Sequence, residues 1–492
     1  MSKVARSFLI INIGQLLFIA SGYIIHAYLG RLLKPADYGR YGIIVTLATM
    51  TIVLIGDGIP KALSKFISQY PHKERTIKKK AAILQFALVS TVTILYFLAA
   101  PLIAAFFKDD SLIPLIRLSA PIIPAFAAAS FYNHYFNGLR QFGIQSMQSG
   151  VRGLMRIGAI LALAYYFGLN GAILGYIVAP ALVSVFAFIT DKRRKKSPAA
   201  NGGNHDISYK TLINFAAGIV GFMVAYNLVI NVDLFLTKRI LLDDYWVGIY
   251  NAVITLGRIP FYLFSNLAFI LLPTIANILE NRAKEEARSL IAGSMRYLMM
   301  LIIPTTTALV IYSNEIIRLL YSKKYIDGNI SLKIMFLGAT ALTIFYVATF
   351  ILNGSGRVHF SANMTWVGVA VNVLLNYALI PRYGIVGSAL ATTFTSAVLM
   401  VISLILIYRT FGSFFQVVSC LKWIVAAAAT ASIFALAPKS VALMIPGSIG
   451  IFALYFVILA ILKEVTSSDF EKLKAIFVRG YQKRKARDAE EY

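Results

Sequence analysis

Arginines lie inside two long apolar segments of this chain, and each belongs to a row of polar residues with the spacing of one helical face. The first row comprises Asn251, Thr255, Arg258, Tyr262 and Asn266. The second row comprises Gln145, Ser149, Arg152 and Arg156. Residues three or four positions apart share a face of a helix, and guanidinium groups match the geometry of phosphates and carboxylates. The chemistry that these rows indicate is therefore the binding of an anion.

Other polar residues inside apolar segments widen this set. Asn12 and Gln15 lie in the first such segment, Asp57 and Lys61 near the cytoplasmic end of the second, and Asp233 near the outer mouth of the seventh. Structural roles are open alternatives, because Asn and Gln often join helices through hydrogen bonds and Lys61 can extend to headgroups or pair with Asp57. The candidate substrate contacts are Arg258, Arg152, Arg156, Asn251, Thr255, Tyr262, Lys61, Asp57, Asn12 and Gln15. Asp57 and Asp233 are the candidates for a coupling ion.

The sign of the charges within or near the apolar segments favours an anionic cargo. A charge inside a membrane is costly and usually faces protein or a water-filled cavity. The cations are Arg117, Arg152, Arg156, Arg258 and Arg296, and the anions are Asp57 and Asp233. A pathway for organic cations would need the opposite excess.

Catalytic and cofactor motifs are not found in the sequence. The histidines form no HExxH spacing, and neither a phosphate-binding loop nor a GxSxG elbow occurs. Cys420 is the only cysteine, so an intrachain disulfide and a cysteine metal site are excluded. The longest loop predicted outside, residues 313–329, is too short to hold an active site that assembles glycans. The sequence predicts no enzyme, no cofactor and no metal site, and it favours a secondary transporter.

The composition identifies the elements that position these residues as membrane-spanning helices. Of the 492 residues, 59% are hydrophobic and 14% are charged, and the mean hydropathy is +0.74, whereas soluble domains carry about 25% charged residues. A spanning helix needs about 20 residues, mostly apolar. We therefore predict an all-α integral membrane protein with about fourteen transmembrane helices. The predicted spans are residues 8–30, 41–66, 81–106, 112–137, 143–167, 171–190, 209–236, 246–273, 290–312, 329–353, 359–380, 384–408, 420–437 and 444–462.

The distribution of basic residues predicts that both termini lie in the cytoplasm. The net charge of +26 comes from 47 Lys and Arg against 21 Asp and Glu. The larger basic clusters fall on one side of the predicted spans, as the positive-inside rule requires. They do not form the basic face of a soluble domain, which binding of nucleic acid would need. Residues 191–208 are predicted to be a cytoplasmic linker, and residues 466–492 a basic amphipathic tail on anionic lipid.

A repeat divides the chain into two similar halves. A shift of 216 residues places residues 137–138 on 353–354 and 166–172 on 382–388, and a shift of 209 places Gly39 on Gly248. These matches predict two pseudo-symmetric six-helix lobes, an N-lobe at 1–190 and a C-lobe at 209–410, followed by two helices at 411–465. The substrate site is expected between the lobes. Under the first shift the second polar row falls on Ser361, Thr365, Gly368 and Asn372, which predicts an uncharged polar wall from the C-lobe.

Several segments resemble the polysaccharide flippase (Wzx-type) branch of the MOP superfamily. They are residues 29–41 (LGRLLKPADYGRY), 233–236 (DLFL), 247–250 (VGIY), 372–376 (NVLLN) and 380–387 (IPRYGIVG). The similarity covers about residues 5–465, and it implies alternating access that carries an undecaprenyl-diphosphate-linked oligosaccharide outward. It also implies that the basic cavity residues are Arg258, Arg152 and Arg156. Related lipid II flippases and multidrug (MATE-type) exporters share this architecture.

The leading prediction is therefore a cell-membrane flippase for lipid-linked oligosaccharide in cell-surface polysaccharide biosynthesis. The alternative is an exporter of amphipathic drugs coupled to H⁺ or Na⁺, and a membrane enzyme of glycan assembly is the third hypothesis. The expected partners are an anionic lipid-linked glycan, membrane lipids and other polysaccharide-assembly proteins, with no nucleic acid, and the expected state is a monomer. No motif identifies the glycan or the coupling ion.

Overall fold

The structure is a computed structural model that describes residues 3–194, 207–280, 283–412 and 417–465. Side chains are described from residue 17 onward, except at 218, 219, 222, 269, 270, 273, 358, 359, 362 and 417. Within these ranges all regular secondary structure is helical. Ten of the helical segments are long and apolar enough to cross a membrane, and a shorter apolar helix covers Leu17–Leu32. The prediction of an all-α membrane protein is confirmed, while the number of fourteen spans stays a prediction.

The helices are grouped here by the predicted two lobes and C-terminal pair. The N-lobe contains α1 (Lys3–Leu32), α2 (Pro35–Gly56), α3 (Ile59–Gln69), α4 (Glu74–Leu98), α5 (Ala100–Phe107), α6 (Leu112–Ser119), α7 (Ile122–Gly138) and α8 (Phe142–Arg193). The C-lobe contains α9 (Tyr209–Leu241), α10 (Asp244–Gly257), α11 (Ile259–Phe264), α12 (Asn266–Glu280), α13 (Lys284–Ile311), α14 (Ser313–Leu320), α15 (Asn329–Gly354) and α16 (Val358–Phe411). The last two helices are α17 (Val417–Leu436) and α18 (Met444–Ile461).

Two predicted spans that carry candidate site residues are interrupted. Residues 41–66 form α2 and α3, with a break at residues 57–58, and residues 246–273 form α10, α11 and α12, with breaks at Arg258 and Ser265. Pro60 and Pro260 stand in the first turns of α3 and α11, where a residue without an N–H cannot continue the preceding helix. The polar row of Arg258 therefore lies along short helices, which corrects the prediction of one continuous helical face.

The longest helices, α8 and α16, each contain two predicted spans joined at a glycine. Gly168 has φ 56° and ψ −131°, and Gly384 has φ 57° and ψ −136°. A positive φ of this kind is readily adopted by glycine. The two glycines are related by the 216-residue shift, so the same reversal of the chain occurs at equivalent places in the two lobes.

The arms on either side of these glycines pack against each other. A Cβ built on Gly171 would lie 1.9 Å from the carbonyl oxygen of Leu163, and one built on Gly387 would lie 2.3 Å from that of Leu379. Small residues allow membrane helices this close approach. The shift of 216 residues places Gly171 on Gly387 and Leu163 on Leu379. The same packing contact therefore occurs in both halves, which supports the predicted duplication.

The predicted linker differs from the structure at its start. Helix α8 continues to Arg193, so Asp191 is helical, and its Oδ2 accepts a hydrogen bond from Lys78 Nζ at 2.5 Å. Residues 195–206 of the linker and the predicted tail at 466–492 lie outside the described ranges. The domain boundaries stay a prediction.

The predicted orientation can be tested by cysteine labelling. We call the end of the bundle that carries residues 31–40 the outer end, following the loop charges. In a Cys420→Ser background, a membrane-impermeant maleimide added from outside is expected to label Asp243→Cys and Lys324→Cys but not Lys195→Cys. The reverse labelling pattern would overturn the orientation.

Candidate functional site

A cavity of ≈ 370 Å³ lies between the two lobes. Its walls come from α1 and α8 of the N-lobe and from the region of α10 to α12 and α15 of the C-lobe. The lining residues are Phe18, Ile19, Gly22, Tyr23, His26, Arg156, Thr255, Arg258, Phe261, Tyr262, Ser265, Asn266 and Tyr346. Two arginines are present, and no carboxylate is found among these described lining residues. The cavity therefore has a positive character.

Arg258 stands at the break between α10 and α11, where its backbone leaves the helix with φ −79° and ψ 0°. Its Nη2 donates to the carbonyl oxygen of Ile230 and, at 3.0 Å, to Oδ1 of Asn231. These two bonds hold one edge of the guanidinium on α9. Within the described part of the chain no carboxylate forms an ion pair with Arg258, although its charge acts on the buried Asp233 carboxyl.

Arg156 and Arg152 lie one turn apart on α8 and share one aromatic ring. The Cζ atoms lie 4.0 Å (Arg152) and 5.1 Å (Arg156) from the centroid of Phe18, and Arg156 also lies 5.2 Å from that of Tyr176. Rings at these distances attract the cations. The Nε atoms of both arginines are buried without a hydrogen-bond partner. A cation in a membrane normally requires an anion or water beside it, and the predicted anion contact at this pair stays a prediction.

A histidine and two tyrosines close the cavity toward the outer end. Nδ1 of His26 lies 2.7 Å from the hydroxyl of Tyr38, which lies 2.9 Å from the hydroxyl of Tyr321. Tyr38 belongs to the N-lobe and Tyr321 follows α14 in the C-lobe, so this hydrogen-bonded chain joins the lobes. Sequence patterns do not single out the two tyrosines, because aromatic residues are common in apolar segments.

Charged residues also join the lobes at the outer end. Lys238 of α9 has its Nζ 2.6 Å from Asp109 Oδ2 and 2.5 Å from Asp244 Oδ1, and Arg40 Nε lies 2.7 Å from Asp244 Oδ2. Burial raises the pKa of the Asp109 carboxyl, but hydrogen bonds from Lys238 and Ser111 outweigh this effect and hold the pKa below its usual value. Asp109 is therefore charged at neutral pH, and its contribution to the contact is lost only when the pH falls through that lowered pKa.

Two glycines bring the backbones of the lobes into direct contact beside these charges. A Cβ built on Gly39 of α2 would lie 2.6 Å from the carbonyl oxygen of Asp244, and one built on Gly248 of α10 would lie 1.8 Å from that of Pro35. Real Cβ atoms essentially never lie that close to another heavy atom. The contact between α2 and α10 at the outer end thus requires glycine at both positions.

The structure places some predicted contacts in the cavity and others elsewhere. Arg156, Thr255, Arg258 and Tyr262 line it together. Asn251, from the same row, is 5% exposed and donates to the Tyr38 carbonyl oxygen at 3.3 Å. It belongs to the contact between α2 and α10 and not to the cavity wall, because it lies two helical turns closer to the outer end than Arg258.

The remaining predicted contacts lie lower in the N-lobe or outside the description. Asp57 and Lys61 form an ion pair of 2.7 Å between positions i and i+4, and neither lines the cavity. Asn12 and Gln15 are part of α1, and their side chains lie outside the described set. Their predicted roles stay predictions.

Asp233 lies inside the C-lobe and not near its outer mouth, because α9 continues beyond the predicted span to Leu241, two turns past Asp233. The side chain is 1% exposed. Its Oδ2 accepts hydrogen bonds from the Tyr250 hydroxyl at 2.8 Å and the Thr392 hydroxyl at 2.9 Å. Asn372 donates to Thr392 at 3.3 Å and accepts from Asn376 at 2.9 Å, and Oδ1 of Asn376 is buried without a partner. This group of residues is a connected polar site inside the lobe.

The uncharged polar wall predicted from the C-lobe is not part of the cavity. Ser361, Thr365 and Asn372 are at most 1% exposed, and a Cβ built on Gly368 would lie 2.7 Å from Leu399. This row packs inside the C-lobe, where Thr365 donates to the Ser361 carbonyl oxygen and Asn372 to Thr392, while the Ser361 hydroxyl is buried without a partner. The C-lobe wall comes instead from residues around Arg258 and from Tyr346.

Comparison with known proteins gives a family match and distant relatives. The profile of the family described as polysaccharide biosynthesis protein matches residues 4–279. The chain is 23% identical over 406 residues to an uncharacterized membrane protein of Methanocaldococcus jannaschii, covering 76% of this chain and 77% of that protein. It is 23% identical over 412 residues to the lipid III flippase of Escherichia coli, covering 79% of this chain and 94% of that protein.

Solved structures with the same fold include transporters of two kinds. The lipid II flippase MurJ in an inward closed conformation matches with a TM-score of 0.75 and 15% identity, covering 92% of this chain and 98% of that one. A multidrug resistance MATE family transporter of the MOP superfamily, in an inward-facing conformation, matches with a TM-score of 0.72 and 12% identity, covering 81% and 95%. At these identities the matches establish the fold alone.

Proposed function

The chain belongs to the polysaccharide biosynthesis protein family, and on this premise we propose that it is a flippase for a lipid-linked oligosaccharide. The cargo is an oligosaccharide attached to a polyprenyl lipid such as undecaprenol through a diphosphate. The protein moves it from the inner to the outer leaflet of the cell membrane, for cell-surface polysaccharide biosynthesis, without changing its covalent structure.

One observation carries the proposal: the cavity between the lobes holds Arg156 and Arg258 and no acidic residue among its described walls. A diphosphate carries its charge on oxygens that accept the paired N–H groups of guanidinium. The two arginines come from different lobes, so an anion between them contacts both sides of the transporter. Binding of the diphosphate thus links cargo recognition to the relative position of the lobes.

Transport by alternating access follows from this arrangement. The lobes are joined at the outer end by Lys238 and by the glycine contact of α2 with α10, which fits a state that receives cargo from the inner side. If the cargo binds more tightly to the state that is open at the outer end, its binding would shift the lobes toward that state. The glycan then crosses through the cavity, while the polyprenyl chain can remain among the membrane lipids.

The alternative is an exporter of amphipathic drugs coupled to H⁺ or Na⁺. Such an exporter shares the fold, but an organic cation would meet Arg156 and Arg258 with no carboxylate in the described walls to compensate for them. The charge of the cavity therefore favours the anionic cargo. A single chain acting as a monomer, with lipids and other assembly proteins as neighbours, is part of the proposal.

Reconstituted vesicles test the proposal. A fluorescent polyprenyl-diphosphate oligosaccharide is placed in both leaflets, and the fraction that dithionite can quench from outside is measured over time. Flipping predicts that vesicles with the protein lose nearly all fluorescence, whereas empty vesicles lose about half, and that the recovered glycan is unchanged. Drug efflux without movement of the glycan would favour the exporter, and an altered glycan would favour an enzyme.

The polar site around Asp233 is the proposed place for the coupling ion. A single carboxylate with hydroxyl and amide oxygens around it suits either a proton or a weakly bound cation such as Na⁺. Asp233→Asn removes the charge and keeps the shape. We expect this variant to flip at a reduced rate that no longer responds to a Na⁺ or pH gradient.

Asp57→Asn is the matched control for this prediction, because it neutralises the other candidate aspartate. Flipping is measured with and without each gradient in wild type and both variants. If the response to the gradients is lost in Asp57→Asn and kept in Asp233→Asn, the coupling site is at Asp57.

A further inference from the structure

A groove of ≈ 510 Å³ lies on the N-lobe between α4 and α7, and it shares no lining residue with the central cavity. Most of its lining residues are small or apolar, among them Ala82, Val89 and Ala128, and the polar ones are Gln85, Ser90, Thr93 and Tyr132. Its volume falls in the range of about 300–1,000 Å³ that ligand pockets occupy. Phe86 and Ile94 on its edge are 75% and 58% exposed. Such apolar side chains on a spanning helix face lipid, so the groove opens toward the acyl chains of the membrane.

Basic residues surround the inner end of this groove. On α4, Lys79 lies one turn and Arg75 two turns from Ala82 toward the inner end, and both are exposed. On α8, Lys192 lies 4.7 Å above the ring of Phe188, and that ring in turn contacts Tyr132 of the groove edge-on at 6.5 Å between centroids.

These cations are in excess over the nearby acids. Asp191 and Glu74 at this end are already paired with Lys78 and Arg194. Among the described residues no carboxylate forms an ion pair with Arg75 or Lys79. One helical turn rises about 5 Å, so Lys79 and Arg75 lie about 5 and 10 Å along α4 from Ala82. The groove thus continues into a surface with uncompensated positive charge.

We propose that this groove binds an anionic phospholipid of the inner leaflet. One acyl chain lies between α4 and α7, and the phosphate lies beside Arg75 and Lys79. Basic pockets between transmembrane helices on the cytoplasmic side are a recurrent form of anionic lipid site. The charges determine the choice of headgroup and the groove determines where the acyl chain lies, so both parts contribute to the affinity.

Native mass spectrometry of the full-length chain in neutral detergent tests this site. Wild type is titrated with dioleoylphosphatidylglycerol and, separately, with dioleoylphosphatidylcholine, and the dissociation constant of the first bound lipid is measured. Each basic residue near an anionic headgroup contributes about fivefold to affinity. Arg75→Gln with Lys79→Gln is therefore expected to weaken phosphatidylglycerol binding about 30-fold and to leave phosphatidylcholine binding unchanged.

Two control variants separate the groove from nonspecific effects. Arg409→Gln removes an exposed charge from the inner end of α16, and it is expected to bind like wild type. Ala82→Phe fills the groove and is expected to weaken binding of both lipids, whereas Ala87→Phe makes the same change on an exposed face of α4 outside the groove.

Three results would overturn the proposal. The first is wild-type affinity for phosphatidylglycerol in the double variant. The second is an equal loss in Arg409→Gln, which would mean that any surface charge acts in this way. The third is equal binding by Ala82→Phe and Ala87→Phe, which would leave the lipid on the basic surface alone.

Discussion

Replacing Arg258 with Gln is expected to abolish flipping, and replacing it with Lys is expected to preserve part of it. Nη2 of Arg258 is engaged by Ile230 and Asn231, which leaves Nη1 and Nε to donate to a phosphate. Hydrogen bonds to a charged group contribute about 1.5–3 kcal/mol each, so loss of two such bonds lowers the rate by about 100-fold or more. Lys keeps the charge but loses the planar fork. The rate is measured with the fluorescent polyprenyl-diphosphate oligosaccharide, at equal protein per vesicle.

Arg117→Gln is the matched control for this prediction. Arg117 also lies in an apolar segment, stacks 5.3 Å from the ring of Phe97 and lies outside the cavity. It is expected to flip at the wild-type rate. Flipping at that rate by Arg258→Gln would mean that the residue only anchors α9 through Ile230, and the anion site would then lie at Arg152 and Arg156.

Adding one methyl group at Gly248 is expected to open the outer end. The new Cβ would lie 1.8 Å from the carbonyl oxygen of Pro35. This oxygen belongs to the backbone of α2, which cannot move aside as the end of a flexible side chain can. Overpacking of this kind costs about 1–3 kcal/mol, which lowers the population of the closed contact by about fivefold or more. Spin labels are placed at Asp110→Cys and Lys324→Cys in a Cys420→Ser background. Double electron–electron resonance should therefore measure a longer distance between them with Gly248→Ala than without it.

Gly150→Ala makes the same substitution in a helix where the new Cβ meets nothing within 4 Å. Alanine is intrinsically better than glycine inside a helix by about 0.5–1 kcal/mol, so this control is expected to be as stable as wild type with an unchanged label distance. If Gly248→Ala leaves the distance unchanged as well, the contact of α2 with α10 does not determine closure of the outer end.

The sequence allowed the general architecture to be predicted because the bilayer restricts it strongly. Long apolar runs gave the helices, and the repeated glycines at 168 and 384 lie where the two reversals occur. The breaks inside spans were missed, although the Ile-Pro pairs at 59–60 and 259–260 could have located them. Proline near the middle of an apolar run is a signal for a helix start as well as for a kink.

Contacts between distant parts of the chain could not be predicted. Lys238 and Asp109 are 129 residues apart, and nothing local to either residue indicates the other. The same holds for Tyr38 and Tyr321 and for the stacking of Arg152 on Phe18. Arg156 and Arg258 of the polar rows line the cavity, and their role as substrate contacts stays a prediction. The equivalent row in the C-lobe turned inward, because burial depends on how the arms of α16 pack.

The glycine contact also has a consequence for the origin of the chain. Under the 209-residue shift Gly39 corresponds to Gly248 and Pro35 to Asp244, so each glycine approaches the carbonyl oxygen that is equivalent to the one approached by the other. Reciprocity of this kind is what a two-fold axis imposes on identical subunits. A protein consisting of a single lobe would form the same contact in a homodimer. After fusion of two copies of its gene, the sequences of the two lobes could diverge independently. Positions 152 and 156 are arginines, whereas their counterparts are Gly368 and Asn372. One copy thus carries the charges that we propose for the cargo, while in the other copy Asn372 belongs to the polar network of Asp233.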